Sequence, residues 1–215
     1  MKLSKWIVFG WLAILLTAQA DDLNCTQPFG IDKKFVRCGK ATVQADIPLD
    51  ARETLSILYP ESKILSGDLD QDGTKDFVVY ATEHADDGLV YQLIILKSKP
   101  GGGYEELGKS SSIQFGTPNI EIKNNSLYLQ VNHTSVNESH DEIYQFKIRD
   151  GHVFLIGKED ITYVPTEKKH GNESRTTTNH LSGELIKSMK VNGKTTSTTK
   201  EKTERKLLRL EDFSR

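Results

Sequence analysis

The sequence predicts a mainly β protein with a minor α contribution: an antiparallel sheet or meander of hairpins, with one short N-terminal helix ahead of an acidic loop. Three observations carry this expectation. From Phe77 onward, apolar residues recur with period two in short runs rich in β-branched and aromatic side chains, over residues 77–82, 91–97, 113–115, 119–123, 127–132, 142–149 and 152–160. Asn124-Asn125 and Asp150-Gly151 separate successive runs, and such pairs accept the positive φ of tight hairpin turns. Helical spacing occurs in one place, at Leu49, Leu55, Leu58 and Tyr59, with Asp50 able to cap the helix and Pro60 to stop it.

Taken in order, residues 1–20 read as a cleaved secretory signal. Lys2 and Lys5 precede an apolar run over residues 6–16, and Ala18-Gln19-Ala20 offers the small-x-small pattern of a peptidase site. The run falls short of the roughly 20 residues that a spanning helix needs. The expected location is therefore periplasmic or secreted, with no membrane span after signal cleavage. Cleavage removes Lys2 and Lys5 and no acid, moving the net charge from −2 to −4, an ordinary value for a soluble chain. About 195 residues remain, enough to bury a real core.

Residues 21–48 form an N-terminal segment holding both cysteines, Cys25 and Cys38. In an exported chain a disulfide is the default for such a pair. Closing a loop of this size stabilises by about 3 kcal/mol if the bond acts through chain entropy. The spacing matches no zinc or redox motif.

Residues 49–165 are expected to be the β-rich core, carrying the helix and the acidic loop. Residues 166–215 are rich in Thr, Lys, Ser and Asn, with Leu181, Leu185, Ile186, Met189 and Val191 to pack. That composition suits a flexible tail. It equally suits a polar β-meander, because residues 175–180, 184–190 and 195–200 alternate or are threonine-rich, with Ser182-Gly183 and Asn192-Gly193 as turns. Eight basic residues between Lys187 and Arg209 face only Glu201 and Glu204, which suggests either a solvated surface or a contact for an acidic partner. Few aromatics accompany them, so nucleic acid is not an expected partner.

The run SGDLDQDGTKDFVVY over residues 66–80 is the most informative stretch. Asp68, Asp70 and Asp72 occupy positions one, three and five of a loop, Gly73 position six, Thr74 position seven and Asp76 position nine. Alternate aspartates turn their oxygens inward, the glycine permits a sharp bend, and an oxygen-only site suits Ca2+ at about 2.3 to 2.6 Å. Magnesium demands a tighter octahedron and keeps its waters. An EF-hand requires a bidentate Glu at position twelve and flanking helices; here position twelve is Val79 and the loop leaves into a strand. The pattern instead resembles the DxDxDGxxD calcium loops of the FG-GAP and VCBS repeat family found in integrin-type propellers, over roughly residues 64–97. The resemblance implies that Asp68, Asp70, Asp72 and Asp76 supply side-chain oxygens and Thr74 a main-chain oxygen. A propeller repeats its motif in every blade, whereas this chain has one clear copy.

Other chemistry is sparse. His133 and His140 flank an Asn/Ser-rich loop with Asp141 and Glu142 beside it, a set that suits a metal or acid/base site or simply exposed loop histidines. There is no HExxH, GxSxG or phosphate-cradling glycine loop, and Lys99-Pro100-Gly101-Gly102-Gly103 reads as a turn. The expected function is therefore that of an exported, calcium-binding, non-catalytic module for a protein partner, with the ion in a structural role. An immunity-type protein that neutralises a toxin in the periplasm is one concrete version. A hydrolase using His84, Asp86, Asp87 or the loop at 133–142 is the expectation from a different class.

Overall fold

The computed structural model describes residues 25–29, 32–85, 88–111, 113, 118–166 and 171–213. The signal expected at residues 1–20 and the candidate acids Asp86 and Asp87 lie outside them, as does the His84 side chain. Among the described residues the protein is mainly β with antiparallel sheets and one α-helix ahead of the acidic loop, as its periodicity predicts. It divides into two compact units between Ile64 and Leu65.

In the first unit, β1 (Phe35–Cys38) and β2 (Ala41–Gln44) form a short antiparallel hairpin. Helix α1 (Leu49–Leu58) follows and returns the chain to β3 (Lys63–Gly67), whose first residues pair parallel with β2, Thr42 opposite Lys63 and Val43 opposite Ile64. A parallel partner needs a crossover connection, and α1 supplies it. The expected cap is corrected here: the helix starts at Leu49, so Pro48 holds the N-cap position and Asp50 sits in the first turn. From there its charge favours the helix dipole instead of capping it. The expected apolar stripe is also narrower than its spacing suggested. Leu55 is fully buried, whereas Leu49 and Leu58 stand more than half exposed. Arg52 replaces apolar contact with hydrogen bonds, donating to the carbonyls of Ala45 and Ile47 at 2.6 Å each.

In the second unit, the end of β3 lies beside β4 (Asp76–Ala85), followed by β5 (Gly88–Ser98) and β6 (Tyr104–Lys109) in antiparallel order. A second sheet runs through β7 (Asn119–Lys123), β8 (Ser126–Thr134), β9 (Ser139–Arg149), β10 (His152–Val164), β11 (Asn172–Asn179), β12 (Glu184–Val191) and β13 (Lys194–Lys202), each antiparallel to the next. Of the expected strand at 113–115, Ile113 pairs with Tyr91 as an isolated bridge, and Phe115 lies outside the described residues.

Sheet-on-sheet burial makes the core. Val78, Tyr80, Leu93 and Ile95 from the first sheet pack with Leu127, Leu129, Tyr144, Phe146, Val153 and Leu155 from the second. The C-terminal segment closes this core: β14 (Leu208–Arg209) pairs with β10, and a short 3-10 helix at Leu210–Asp212 presents buried Leu210 and Phe213. Phe213 meets Tyr144 and Phe146 edge-on, with ring centroids 5.1 Å apart in both pairs. The polar stretch 172–202 is a three-stranded meander. Thr-rich ladders and cross-strand ion pairs, Lys190 to Glu173 at 3.0 Å and Lys200 to Glu184 at 3.1 Å, link its strands, although all nine residues of β13 are exposed.

Candidate metal centre

The acidic loop spans the connection from β3 to β4 and is fixed from both ends. Leu69 drops into the core, 2% exposed, between Asp68 and Asp70. Next door, a side chain on Gly67 would bring its Cβ within 2.6 Å of Ile122 Cγ2, so the loop enters flush against β7. The β7–β8 turn holds the loop as well, since Asn125 Nδ2 donates to the Asp68 carbonyl at 2.6 Å. Gly73 has φ +85°, a conformation that favours glycine, and its N–H donates to Asp68 Oδ2 at 3.2 Å.

These constraints gather carboxylates. One oxygen from each of Asp68, Asp70 and Asp76 lies within 4.8 Å of the other two, a set that could hold a metal ion. Asp76 opens β4 with its side chain inward, 1% exposed. Its Oδ2 accepts the Leu69 N–H at 3.0 Å, but its Oδ1 has no hydrogen-bond partner among the described residues, and neither does the buried Oδ1 of Asp68. Burial, reinforced by the Asp70 and Asp72 charges, raises the Asp76 pKa above the usual carboxylate range. A buried carboxylate with an open lone pair and like-charged neighbours is costly alone and favourable around a cation.

Asp72 and Thr74 stand apart from this trio. Asp72 Oδ1 accepts the Thr74 N–H at 2.8 Å, while its Oδ2 lies 2.9 Å from Lys97 Nζ. Lys97 also pairs with Asp70 Oδ2. The hydrogen bond from Lys97, aided by the Thr74 amide, lowers the Asp72 pKa. Conversely, Asp70 first and Asp72 second hold the Lys97 ammonium well above its ordinary range. Sequence reasoning missed this lysine. The signal was hairpin register: Phe77 pairs with Leu96, which puts Lys97 level with the start of β4. Val79, at position twelve, is fully buried in β4 and cannot act as a ligand.

Cys25 and Cys38 form a disulfide, with Cα atoms 4.2 Å apart. Of the second candidate set, His133, His140 and Glu142 come together on one face, whereas Asp141 hydrogen-bonds Asn132 instead. They adjoin an open hollow lined by Asn132, His133, Thr134, Ser135, Glu138 and His140. No helix among the described residues is long and apolar enough to cross a membrane. Comparison with known proteins adds no relative: no protein-family model, no curated protein and no solved structure matches the chain.

Proposed function

We propose that the protein is an exported β-rich module that binds one Ca2+ in the loop from Asp68 to Asp76 and acts by binding a protein partner, not by catalysis. The observation that carries the metal reading is the buried Oδ1 of Asp76, without a hydrogen bond among the described residues, inside a cluster of three carboxylates. The DxDxDGxxD spacing and its resemblance to FG-GAP and VCBS loops support calcium over other cations, because every side chain in the loop's motif positions offers oxygen. Asp72 and the Thr74 carbonyl would complete the site once Asp70 and Asp72 gave up the Lys97 ammonium to a divalent ion. The role is structural: the ion neutralises acids that otherwise repel each other where β3 hands over to β4.

Export is supported by the Cys25–Cys38 disulfide, a bond suited to oxidising compartments. The partner surface proposed is the meander β11–β13, which places Lys187, Lys194, Lys200 and Lys202 on accessible strands with Met189 and Val191 partly exposed among them. A periplasmic toxin with an acidic face is one partner of that chemistry.

Titration calorimetry with CaCl2 tests the metal reading: heat is expected from the mature chain and absent from Asp70→Ala. Equal thermal midpoints in calcium and in chelator would sink the structural role, since a ligand of the folded state alone stabilises by mass action. For the partner, affinity capture from native extract with the wild type and with Lys187→Glu/Lys200→Glu should recover a stoichiometric protein only with the former. Recovery by neither protein, in calcium or chelator, refutes the binding role.

A further inference from the structure

A second group of ligating side chains lies at the opposite end of β8 from the turn that holds the acidic loop. Along β9 the core-facing residues are Glu142, Tyr144, Phe146 and Ile148, so Glu142 occupies an apolar row and is 1% exposed. Register brings its neighbours to the same face, because residues opposite each other in a sheet share a side. His133 pairs with His140 across β8 and β9, and Asp160 pairs with Glu142 across β9 and β10. A β-bulge in β10 between Leu155 and Gly157 decides the last pairing. Continued without it from Arg149 and His152, the ladder would set Glu159 opposite Glu142. The extra residue instead turns Lys158 and Asp160 inward, and Glu159 faces outward to Arg175 at 3.1 Å.

The donor atoms converge. His140 Nε2 lies 3.8 Å from Glu142 Oε1, and His133 Nε2 lies 3.9 Å from Glu142 Oε2. One ligand atom each from His140, Glu142 and Asp160 lies within 4.8 Å of the others. Two ligands at zinc distance from one tetrahedral ion sit roughly 3.4 Å apart, so closing the group on an ion draws each imidazole toward Glu142 and the two rings, whose centroids are 6.4 Å apart, toward each other. His140 is already oriented: its Nδ1 hydrogen-bonds with Thr162 Oγ1 at 3.1 Å, which turns Nε2 toward the carboxylate in the manner of an outer-shell partner. The Lys158 ammonium bridges Glu142 Oε1 at 3.2 Å and Asp160 Oδ1 at 2.8 Å, and so offsets one of the two acids. The His133 side chain is 54% exposed beside the open hollow, leaving the cluster in contact with solvent.

We infer that His133, His140 and Glu142 form a second metal site, selective for a first-row transition ion of the zinc type and independent of the calcium loop. Two imidazoles and one carboxylate are the donors such an ion prefers, whereas Ca2+ takes oxygen alone. Three protein ligands leave a fourth position for water. Asp160, paired with Lys158, stays in the outer shell and neutralises that lysine beside the ion.

Calorimetry with ZnCl2, run on the mature chain in saturating calcium, tests the site, and Co2+ substitution with its visible absorption reports tetrahedral nitrogen ligation. One equivalent is expected, retained in Asp70→Ala and His152→Ala and lost in His133→Ala and His140→Ala. His133 is half exposed, so its variant should keep the wild-type thermal midpoint without zinc. Thr162→Val keeps all three ligands but frees Nδ1, and should weaken binding about 10- to 100-fold. Absence of zinc heat in the wild type, or heat that survives His133→Ala, would overturn the assignment; so would heat abolished by Asp70→Ala, which would locate zinc in the loop.

Discussion

Replacing Asp76 by asparagine should stabilise the protein in chelator and remove its response to calcium. In the wild type the Asp76 carboxylate is buried, accepts the Leu69 N–H through Oδ2, and keeps an Oδ1 with no hydrogen-bond partner among the described residues beside Asp68 and Asp70. In the Asp76→Asn variant the amide oxygen can still accept that N–H, while the new NH2 group points at the neighbouring acids as a donor. Relieving one buried, unsatisfied polar atom is worth about 1 to 2 kcal/mol. For a chain of this size that corresponds to roughly 2 to 8 °C in thermal midpoint. The sign with pH follows from the raised folded-state pKa. The folded wild type holds its proton to higher pH than the unfolded chain, so its stability falls as pH rises through that window. The advantage of Asp76→Asn over wild type must therefore vanish in acid and be complete above the raised pKa. In calcium the order reverses, because at 100 times the Kd the wild type gains about 2.7 kcal/mol that the variant forgoes. Differential scanning calorimetry in chelator and in calcium reads both effects. A variant less stable than wild type in chelator, or one that keeps a calcium-dependent shift, refutes the role assigned to this carboxylate.

Three further outcomes follow from contacts elsewhere. Gly67→Ala should cost about 1 to 3 kcal/mol through collision with Ile122, and markedly less in an Ile122→Ala background; strict additivity in chemical denaturation would show that the two do not meet. Reducing the Cys25–Cys38 disulfide should remove about 3 kcal/mol from the first unit, read as faster amide exchange in β1 and β2, and unchanged exchange would contradict it. His180 has its pKa lowered by burial, with Lys158 adding to the effect, so its contribution is complete above an ordinary histidine pKa of about 6.5 and is lost as pH falls below it. His180→Gln should flatten that part of the urea-midpoint profile between about pH 7.5 and pH 5, and an unaltered slope would discount the residue.

The hairpins were legible in the sequence where turn residues name their own geometry. Asn124 and Asn125, Asp150 and Gly151, and Asn192 and Gly193 all adopt the positive φ that two-residue turns require, and each joins two strands of the second sheet. The four aspartates were legible for the same local reason. What escaped was non-local. Strands β1 to β3 pair partly in parallel through a helix, which no short-range pattern announces. Strand β6, with mostly polar residues around Gly108, shows no alternation and is held by its ladder to β5. Lys97 reaches the loop through hairpin register, and the neighbours of Glu142 are set by a bulge at Leu155 and Gly157. Period-two patterning alone would have put Glu142 among apolar residues without saying which side chains surround it.

The stopper made by Leu210 and Phe213 also bears on the order in which the protein assembles. Most of the second sheet joins strands adjacent in sequence, so its rungs zip up over short loops. Phe213, by contrast, follows the whole Thr-rich meander in the chain, so on synthesis it is the last of these residues to become able to cover Tyr144 and Phe146. Until then one side of that aromatic pair lacks its cover, and the nascent barrier to solvent is incomplete. Chains shortened before Leu210 should consequently form their hairpins yet stay sticky, binding hydrophobic dyes and engaging chaperones that the finished protein ignores.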